Sequence, residues 1–365
     1  MNTFDFAIVG AGIAGASLAA ELSATGATVL LLEAEDRPGY HSTGRSAAFW
    51  EECYGGPDIV PLTLASGRYL REGGFLTQRG ALYIGRTSDT HAIDRFEQRF
   101  EGTGVTIQQL DRQALEQRLP GLRPDWTRAI WEPACADIDV GALHHHYLGK
   151  AKRGSVELVC RARIVDASRR DGQWTLISAA GESWTAGTII NAAGAWADEF
   201  AQLAGARPVG IQPLRRTVVQ LRVAPQVAPD LPLVLDIGGG FYFKPESGRV
   251  WLSPHDEEPS EPCDAAPEEL AVAQAIDRFE SVVDWQVEAV ERKWAGLRSF
   301  APDRRPVYGW DPDVEGLGWF AGQGGFGIQT SPAAARLAAQ LLTGASGDDL
   351  TVGIDPSPYL ASRFG

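Results

Sequence analysis

Apolar and polar positions alternate in three distinct ways along the chain, and the first change of period comes early. An apolar run at about 4–9 predicts a strand, Ala/Leu-rich spacing predicts a helix over about 12–25, and a second apolar run predicts a strand over about 27–33. Helical spacing returns in "DIVPLTLASGRYLREGG", in "DTHAIDRFEQRFEG" and in "ADIDVGALHHHYLGKAKRG", where Asp139 is placed to cap the helix; "ALYIG" between the first two predicts a short strand. Strand patterns follow in "VELVC", "ARIVDAS", "QWTLISA" and "GTIINAAG". Residues 206–290 read as antiparallel strands ("RTVVQLRV", "GGFYFKP", "RVWLSP") with Pro/Gly turns and an acidic linker, "HDEEPSEPCDAAPEE". The end returns to strand and helix in "LGWFAGQGGFGIQTSPAAARLAAQLLTG". Blocks of α/β pattern separated by antiparallel blocks predict two domains, each assembled from discontinuous segments.

Composition narrows the class. The 365 residues are 44% hydrophobic, enough for more than one core. A net charge of -14 argues against nucleic acid or an anionic membrane as partner, and suits a cytoplasmic protein. No run approaches the roughly 18 apolar residues of a membrane span, and the N-terminus predicts no signal peptide. Cys53, Cys135, Cys160 and Cys263 are widely spaced, which predicts mostly buried free thiols. His144, His145 and His146 are neighbours on a helix and point in different directions, so no metal site is expected there.

The strongest chemical signal is "FAIVGAGIAGASLAAELSATGATVLLLEAE". Gly10, Gly12 and Gly15 have G-x-G-x-x-G spacing between an apolar strand and a helix. Gly10 allows the tight turn, Gly12 lets backbone approach a pyrophosphate, and Gly15 lets helix pack on strand. Glu33 closes the second strand about 20 residues on, where a carboxylate can accept from ribose hydroxyls. "TIINAAGAWAD" brings a second strand into small residues ending at Gly194, a pattern that returns the chain to the cofactor as in FAD proteins. "GQGGFGIQTSPAAARLAAQLL" places Gly324, Gly325 and Gly327 before a helix whose first turn carries Gln329 and Thr330, and such a positive helix end suits the flavin N1/O2 edge.

Together "GAGIAGAS", "PGYHSTGRSAA", "ADIDVGALHHHYL", "NAAGAWAD", "KWAGLRSF" and "AGQGGFGIQTS" resemble the FAD-dependent D-amino acid oxidase and dehydrogenase superfamily, and within it the bacterial D-arginine dehydrogenases. The resemblance implies an α/β fold: a Rossmann-type, glutathione-reductase-like FAD-binding domain interleaved with an antiparallel β-sheet substrate domain with flanking helices. Segments 1–75, 135–205 and 295–365 are assigned to the first domain, and 76–134 and 206–294 to the second. It also implies non-covalent FAD along Ile13, Ala14, Ala34, Ser42, Thr43, Arg45, Ser46, Ala47, Ile164, Ala193, Trp196 and Ile328, besides the glycines, Glu33, Gln329 and Thr330 already named. Arg45 is expected to face the cofactor phosphates.

For the substrate, Arg298 matches the family arginine that clamps a carboxylate, and also borders the flavin. Arg216 matches a second arginine, although Arg215 could be the inward one, since strand neighbours face opposite ways. Tyr242 matches a tyrosine on the carboxylate, Tyr54 a lid tyrosine, and Gln329 a residue near the amine. Two departures bear on substrate. Phe49, followed by Trp50, stands where the D-arginine dehydrogenases keep a histidine. Ala81 falls where they keep a glutamate for the cationic side chain. Glu51 could offer a carboxylate from another direction, but a loop glutamate is expected to be solvated.

The expected reaction is therefore oxidative deamination of a free amino acid, D-configured and with a neutral or apolar side chain. Hydride passes to flavin N5 and the imino acid hydrolyses to a 2-oxo acid and ammonia. No catalytic base is evident with Phe49 in the histidine position. Oxygen, a quinone or another carrier fits as electron acceptor, and a monomer or homodimer as assembly. The alternatives are a secondary-amine or 2-hydroxy acid oxidising enzyme on the same scaffold, or a flavin-binding redox protein without turnover.

Overall fold

The computed structural model describes residues 3–364. Strand Thr3–Val9 lies parallel to Val29–Leu32 on one side and to Ser183–Asn191 on the other. Val29–Leu32 is buried at every position, as a strand covered on both faces must be. The eight-stranded sheet continues through Glu157–Val159 at one edge. Beyond Ser183–Asn191, the antiparallel pair Ile164–Arg170 and Gln173–Ser178 and the strand Leu317–Ala321 complete it, with Val307–Trp310 beside the last. Helices Ile13–Ser23, Val140–Arg153 and Gly327–Thr343 share one apolar cluster against this sheet. Asp139 caps the second of them, its side chain accepting from the Ala142 N–H at 2.8 Å.

The nine-stranded sheet runs from Gln286–Phe300 through Gln212–Ala224, Arg249–Ser253, Tyr242–Glu246, Leu233–Asp236, Ala81–Arg86 and Trp126–Glu132 to Gln108–Leu110, with Glu258–Pro259 at the side of the second strand. It is antiparallel as expected except where Leu233–Asp236 runs parallel to Ala81–Arg86. The break expected at residue 295 falls inside Gln286–Phe300, which pairs with Gln212–Ala224 from end to end, so the crossover between the sheets lies beyond Phe300. Phe49–Trp50, Ala136–Ile138 and Leu76–Gln78 form a small third sheet at the junction.

The stretch 206–290 is not all strand. Glu269–Glu280 is a helix that buries Val272, Ala275 and Phe279, a spacing of three and four that the preceding acidic linker obscured. Arg112–Arg118 is a further helix, capped by Asp111. Cys53 and Cys135 are buried, but Cys160 is half-buried and Cys263 exposed, so only two of the four thiols lie in the core.

Candidate active site

Three parallel strands end side by side at Val9, Leu32 and Asn191, and the loops that follow them line a groove of about 210 Å³. Ligands of open α/β sheets bind outside such carboxyl ends. Gly10, Gly12, Ile13, Ala14, Glu33, Ala34, Ile164, Ala193, Gly194 and Trp196 all reach the groove. Gly10 has a φ of +106°, and a Cβ there would lie 2.4 Å from the Ala192 carbonyl oxygen, so the two loops touch only because this residue is glycine. Gly15 lies beneath the turn, where a Cβ would come 1.8 Å from the Gly10 carbonyl oxygen. Glu33 is buried and aimed by two backbone donors, Ala11 N–H and Glu35 N–H, both at 3.0 Å. Thr43 Oγ1 accepts from the Ile13 N–H at 2.9 Å and ties the following loop to the start of the first helix.

The groove opens into a second cavity of about 500 Å³; Ile13, Ser42, Thr43, Leu297, Gln323 and Gly324 border both. Ser46, Ala47, Gly325, Gly327 and Ile328 line the second space. One end of the joint space offers small residues, backbone donors and an aimed carboxylate, and the other the glycine-rich start of helix Gly327–Thr343. That layout fits a dinucleotide whose ring system reaches the second cavity.

Three expected cofactor contacts are corrected. The Arg45 guanidinium pairs with Asp264 and donates to the carbonyls of Ala265 (3.0 Å) and Ala295 (3.2 Å), so its donors are spent on a loop and on strand Gln286–Phe300 instead of being left for a phosphate. Thr330 is fully buried and its hydroxyl donates to the Phe326 carbonyl at 2.9 Å, within its own helix. Gln329 is also buried: its amide accepts from Glu51 N–H (3.2 Å) and donates to Glu51 C=O (3.1 Å) and Thr63 Oγ1 (2.8 Å). With these partners Gln329 holds Glu51 rather than a substrate amine.

Strand register explains which residues face the second cavity. Leu214 pairs with Arg298 and Arg216 with Gly296, so Arg216 and Arg298 project from the same face of the sheet. Arg215 points the other way and pairs with Glu268 at 2.6 Å, which settles the inward arginine as Arg216. The register of the next strands places Tyr242, opposite Ser253, and Tyr83, opposite Leu235, on that same face. Arg298 donates through Nη1 to Glu257 at 3.1 Å, while its Nε and Nη2 take no hydrogen bond among the described residues. A planar donor pair is thereby left for a carboxylate. Burial, with Arg304 close by, pulls Arg298 down to about 9, and Glu51 opposes the shift. Burial also lowers Arg216, whose Nε donates to the Asp256 carbonyl at 2.8 Å.

Tyr54 lies beneath the Arg298 guanidinium, 5.5 Å from ring centroid to Cζ, and Phe49 meets Tyr242 edge to face at 5.8 Å. Phe96, Phe100, Leu235 and Ile237 extend the apolar wall. Burial raises the Tyr242 hydroxyl above its usual range, against the pull of Arg216.

The polar residues of this cavity that were missed as site groups include His255, Glu51, Tyr83 and Glu257. His255 lines it, and its Nδ1 donates to the Gly239 carbonyl at 2.9 Å; burial and then Arg216 pull its pKa down to about 4, so the ring is neutral. Glu51, expected in solvent, is 3% exposed and forms part of the cavity wall. Its carboxylate accepts from the Tyr83 hydroxyl and is raised to about 7 by burial, with Tyr83 and Arg298 acting in the opposite direction. Behind Tyr83 stands Glu132, fully buried and raised to about 8 by burial and by Glu51. Nothing local signals Tyr83 or Glu51, since all five residues of "ALYIG" are buried.

This geometry has counterparts among known proteins. The family described as DAO, FAD dependent oxidoreductase, matches residues 5–341. The hydrogen cyanide synthase subunit HcnC of Pseudomonas aeruginosa is 26% identical, over 100% of this chain and 97% of its own. Glycine oxidase from Geobacillus kaustophilus superposes with a TM-score of 0.85 at 23% identity, covering 100% of this chain and 99% of that one. L-α-glycerophosphate oxidase from Mycoplasma pneumoniae, solved with FAD bound, superposes with a TM-score of 0.86 at 18% identity, over 94% and 95% of the two chains. At such identities the two structures establish likeness of fold. With the family match spanning most of its length, the chain belongs to the DAO family of FAD-dependent oxidoreductases.

Proposed function

We propose that this enzyme oxidises the Cα–N bond of a free amino acid, D-configured and with an uncharged, apolar side chain, to the imino acid, which water converts to a 2-oxo acid and ammonia. The flavin, held without a covalent link, supplies the two-electron acceptor. The observation that carries the proposal is the open Nε/Nη2 edge of Arg298, facing a cavity whose lining includes the apolar group Phe49, Phe96, Phe100, Leu235 and Ile237.

Each residue then has a task. Arg298 receives the carboxylate, Tyr242 and Arg216 flank it, and Tyr54 covers the guanidinium face. Glu257 accepts from Arg298, Arg216 and Arg304, at 3.1, 3.5 and 2.9 Å, and keeps three neighbouring cations compatible before substrate arrives. Holding the carboxylate and the apolar side chain at once leaves one orientation for Cα–H, an effect of position. Among relatives at 26% identity, one is named glycine oxidase, which supports an amine substrate.

An anaerobic screen of flavin bleaching with D-, L- and N-methyl amino acids and 2-hydroxy acids tests the proposal. Fast bleaching by apolar D-amino acids is the expected result. Bleaching by 2-hydroxy acids alone, or by D-arginine best of all, would overturn it. Repeating the screen in air with peroxide detection assigns the electron acceptor.

A further inference from the structure

Glu51 is held unlike any other cavity residue. One side chain, Gln329, grips both its backbone groups, and Gln329 is itself anchored on Thr63 Oγ1. The Glu51 carboxylate is therefore presented from a fixed point. Oε1 accepts from the Tyr83 hydroxyl, whereas Oε2 takes no hydrogen bond among the described residues, in a side chain that lines the cavity. An oxygen that borders the cavity and has no protein donor is free to accept a hydrogen bond from a ligand. Its charged and titratable neighbours are Arg298 across the cavity, Tyr83 and Glu132 on the sheet face, and the thiols of Cys53 and Cys135. The thiols are held far above their usual range by burial and by these same carboxylates, so they stay protonated.

We propose that Glu51 is the proton acceptor for the substrate's ammonium group, and that Tyr83 and Glu132 behind it share the proton load. The proposal rests on the amino acid reading given above. In the step, an ammonium N–H bond breaks, its proton passes to Oε2, and the bonding pair stays on nitrogen as the lone pair. The products are a neutral amine and a protonated Glu51. The two electrons of the Cα–H bond leave later, with hydrogen, to the flavin.

Two features suit the group to this task. Two carboxylates buried on either side of one hydroxyl cannot both ionise at low cost, so the pair holds about one proton between them. Tyr83 donates to Glu51 and lies 3.4 Å from Glu132 Oε2, so its hydroxyl can give a proton to one side while taking one from the other. Substrate binding also acts in the right direction. Arg298 lowers the basicity of Glu51 in the open site, and a carboxylate on Arg298 cancels that pull. The acceptor thus becomes more basic when the amine arrives beside it.

The test uses the FAD-loaded protein and two unreactive ligands. 2-Methylalanine has a carboxylate and an amine but no Cα–H, and 2-methylpropanoate is the same skeleton without the amine. Their affinities are read from the flavin absorbance change. The wild type should prefer 2-methylalanine, with a preference that grows as pH rises through about 7. Glu51→Gln, which keeps the size and the acceptor for Tyr83, should lose at least about tenfold of that preference while binding 2-methylpropanoate within about threefold of wild type. On the best amino acid from the screen, the ascending limb of kcat/KM near that pH should move upward in the variant. If Glu51→Gln keeps both the preference and the limb while amino acids still bleach the flavin, the proposal falls and the function stands. If no amino acid bleaches the wild-type flavin, the function falls and the proposal with it.

Discussion

Replacing Gly325 with alanine separates the chemistry of this site from its stability. The added carbon would lie 1.9 Å from Tyr54 Oη and 2.1 and 2.3 Å from Arg298 Nη2 and Nε. Carbon atoms essentially never approach closer than 3.0 Å, so both side chains must retreat by about 1 Å or more. Both clashes are with the far ends of side chains, and Gly325 does not occupy the left-handed region, so the backbone can stay in place. The part of Arg298 displaced is the free Nε/Nη2 edge. A misplacement of about 1 Å costs on the order of 10²-fold in rate, or about 2.7 kcal/mol of transition-state binding. Kinetics of anaerobic flavin reduction should therefore show kcat/KM lowered about a hundredfold, with the loss reaching the rate of reduction as well as KM. The melting temperature should stay within about 4 °C of wild type. Gly141→Ala is the companion, since its carbon would meet only Asp139 Oδ1 at 3.5 Å in an exposed helix turn; it should leave activity alone and stabilise by about 0.5–1 kcal/mol. Wild-type kcat/KM in Gly325→Ala would refute the assignment of the Arg298 edge. A collapsed melting temperature would instead make Gly325 a folding residue.

Three other outcomes test separate parts of the structure. Arg298→Lys keeps a charge but loses the planar fork; the site that lowers Arg298 to about 9 should lower a lysine further. Carboxylate affinity of that variant, measured by titration, should fall more steeply than that of the wild type as pH rises from about 6 to 8. Glu132→Gln should gain stability over wild type as pH rises from 4.5 to about 8, and the gain should level off above that. The unfolded carboxyl ionises from 4.5 upward while the folded one stays protonated, so the wild type loses stability across this window; melting curves across pH should show a gap on the order of a few kcal/mol at its upper end. Gly15→Ala should yield protein that retains little FAD after gel filtration, because its carbon meets backbone, the Gly10 carbonyl, which cannot step aside.

The parts of this site that could be read in the sequence are those whose chemistry is local. Gly10, Gly12 and Glu33 belong to one strand–turn–helix unit in which each residue's task follows from the next few residues. Arg216 against Arg215 was left open by strand alternation alone, since a period of two says that one faces inward but not which; the pairing with Gln286–Phe300 decides it. Glu51 and Gln329 were misjudged for one reason. Each looked like a polar group beside a ligand or in water, but they bind each other across 278 residues of chain. Arg45 was misjudged similarly, because its partners Asp264 and Ala295 lie more than 200 residues away along the chain. Burial of a loop residue is a property of what comes to cover it, and hydrophobic period carries no record of that.

The packing of the first helix against the last has a consequence for how the protein is made. Ile13–Ser23 and Gly327–Thr343 share one apolar cluster, so the earlier helix waits during synthesis for the later one. At about 5–20 residues per second that interval is on the order of half a minute, during which the nucleotide turn stands on a half-covered sheet. Contacts so distant in sequence carry a large loop-closure cost and close late. The cofactor groove is bordered by residues from Val9 to Gly324, so it is complete only after this closure. Flavin can then bind only after the chain has closed, so cofactor uptake should follow synthesis rather than accompany it.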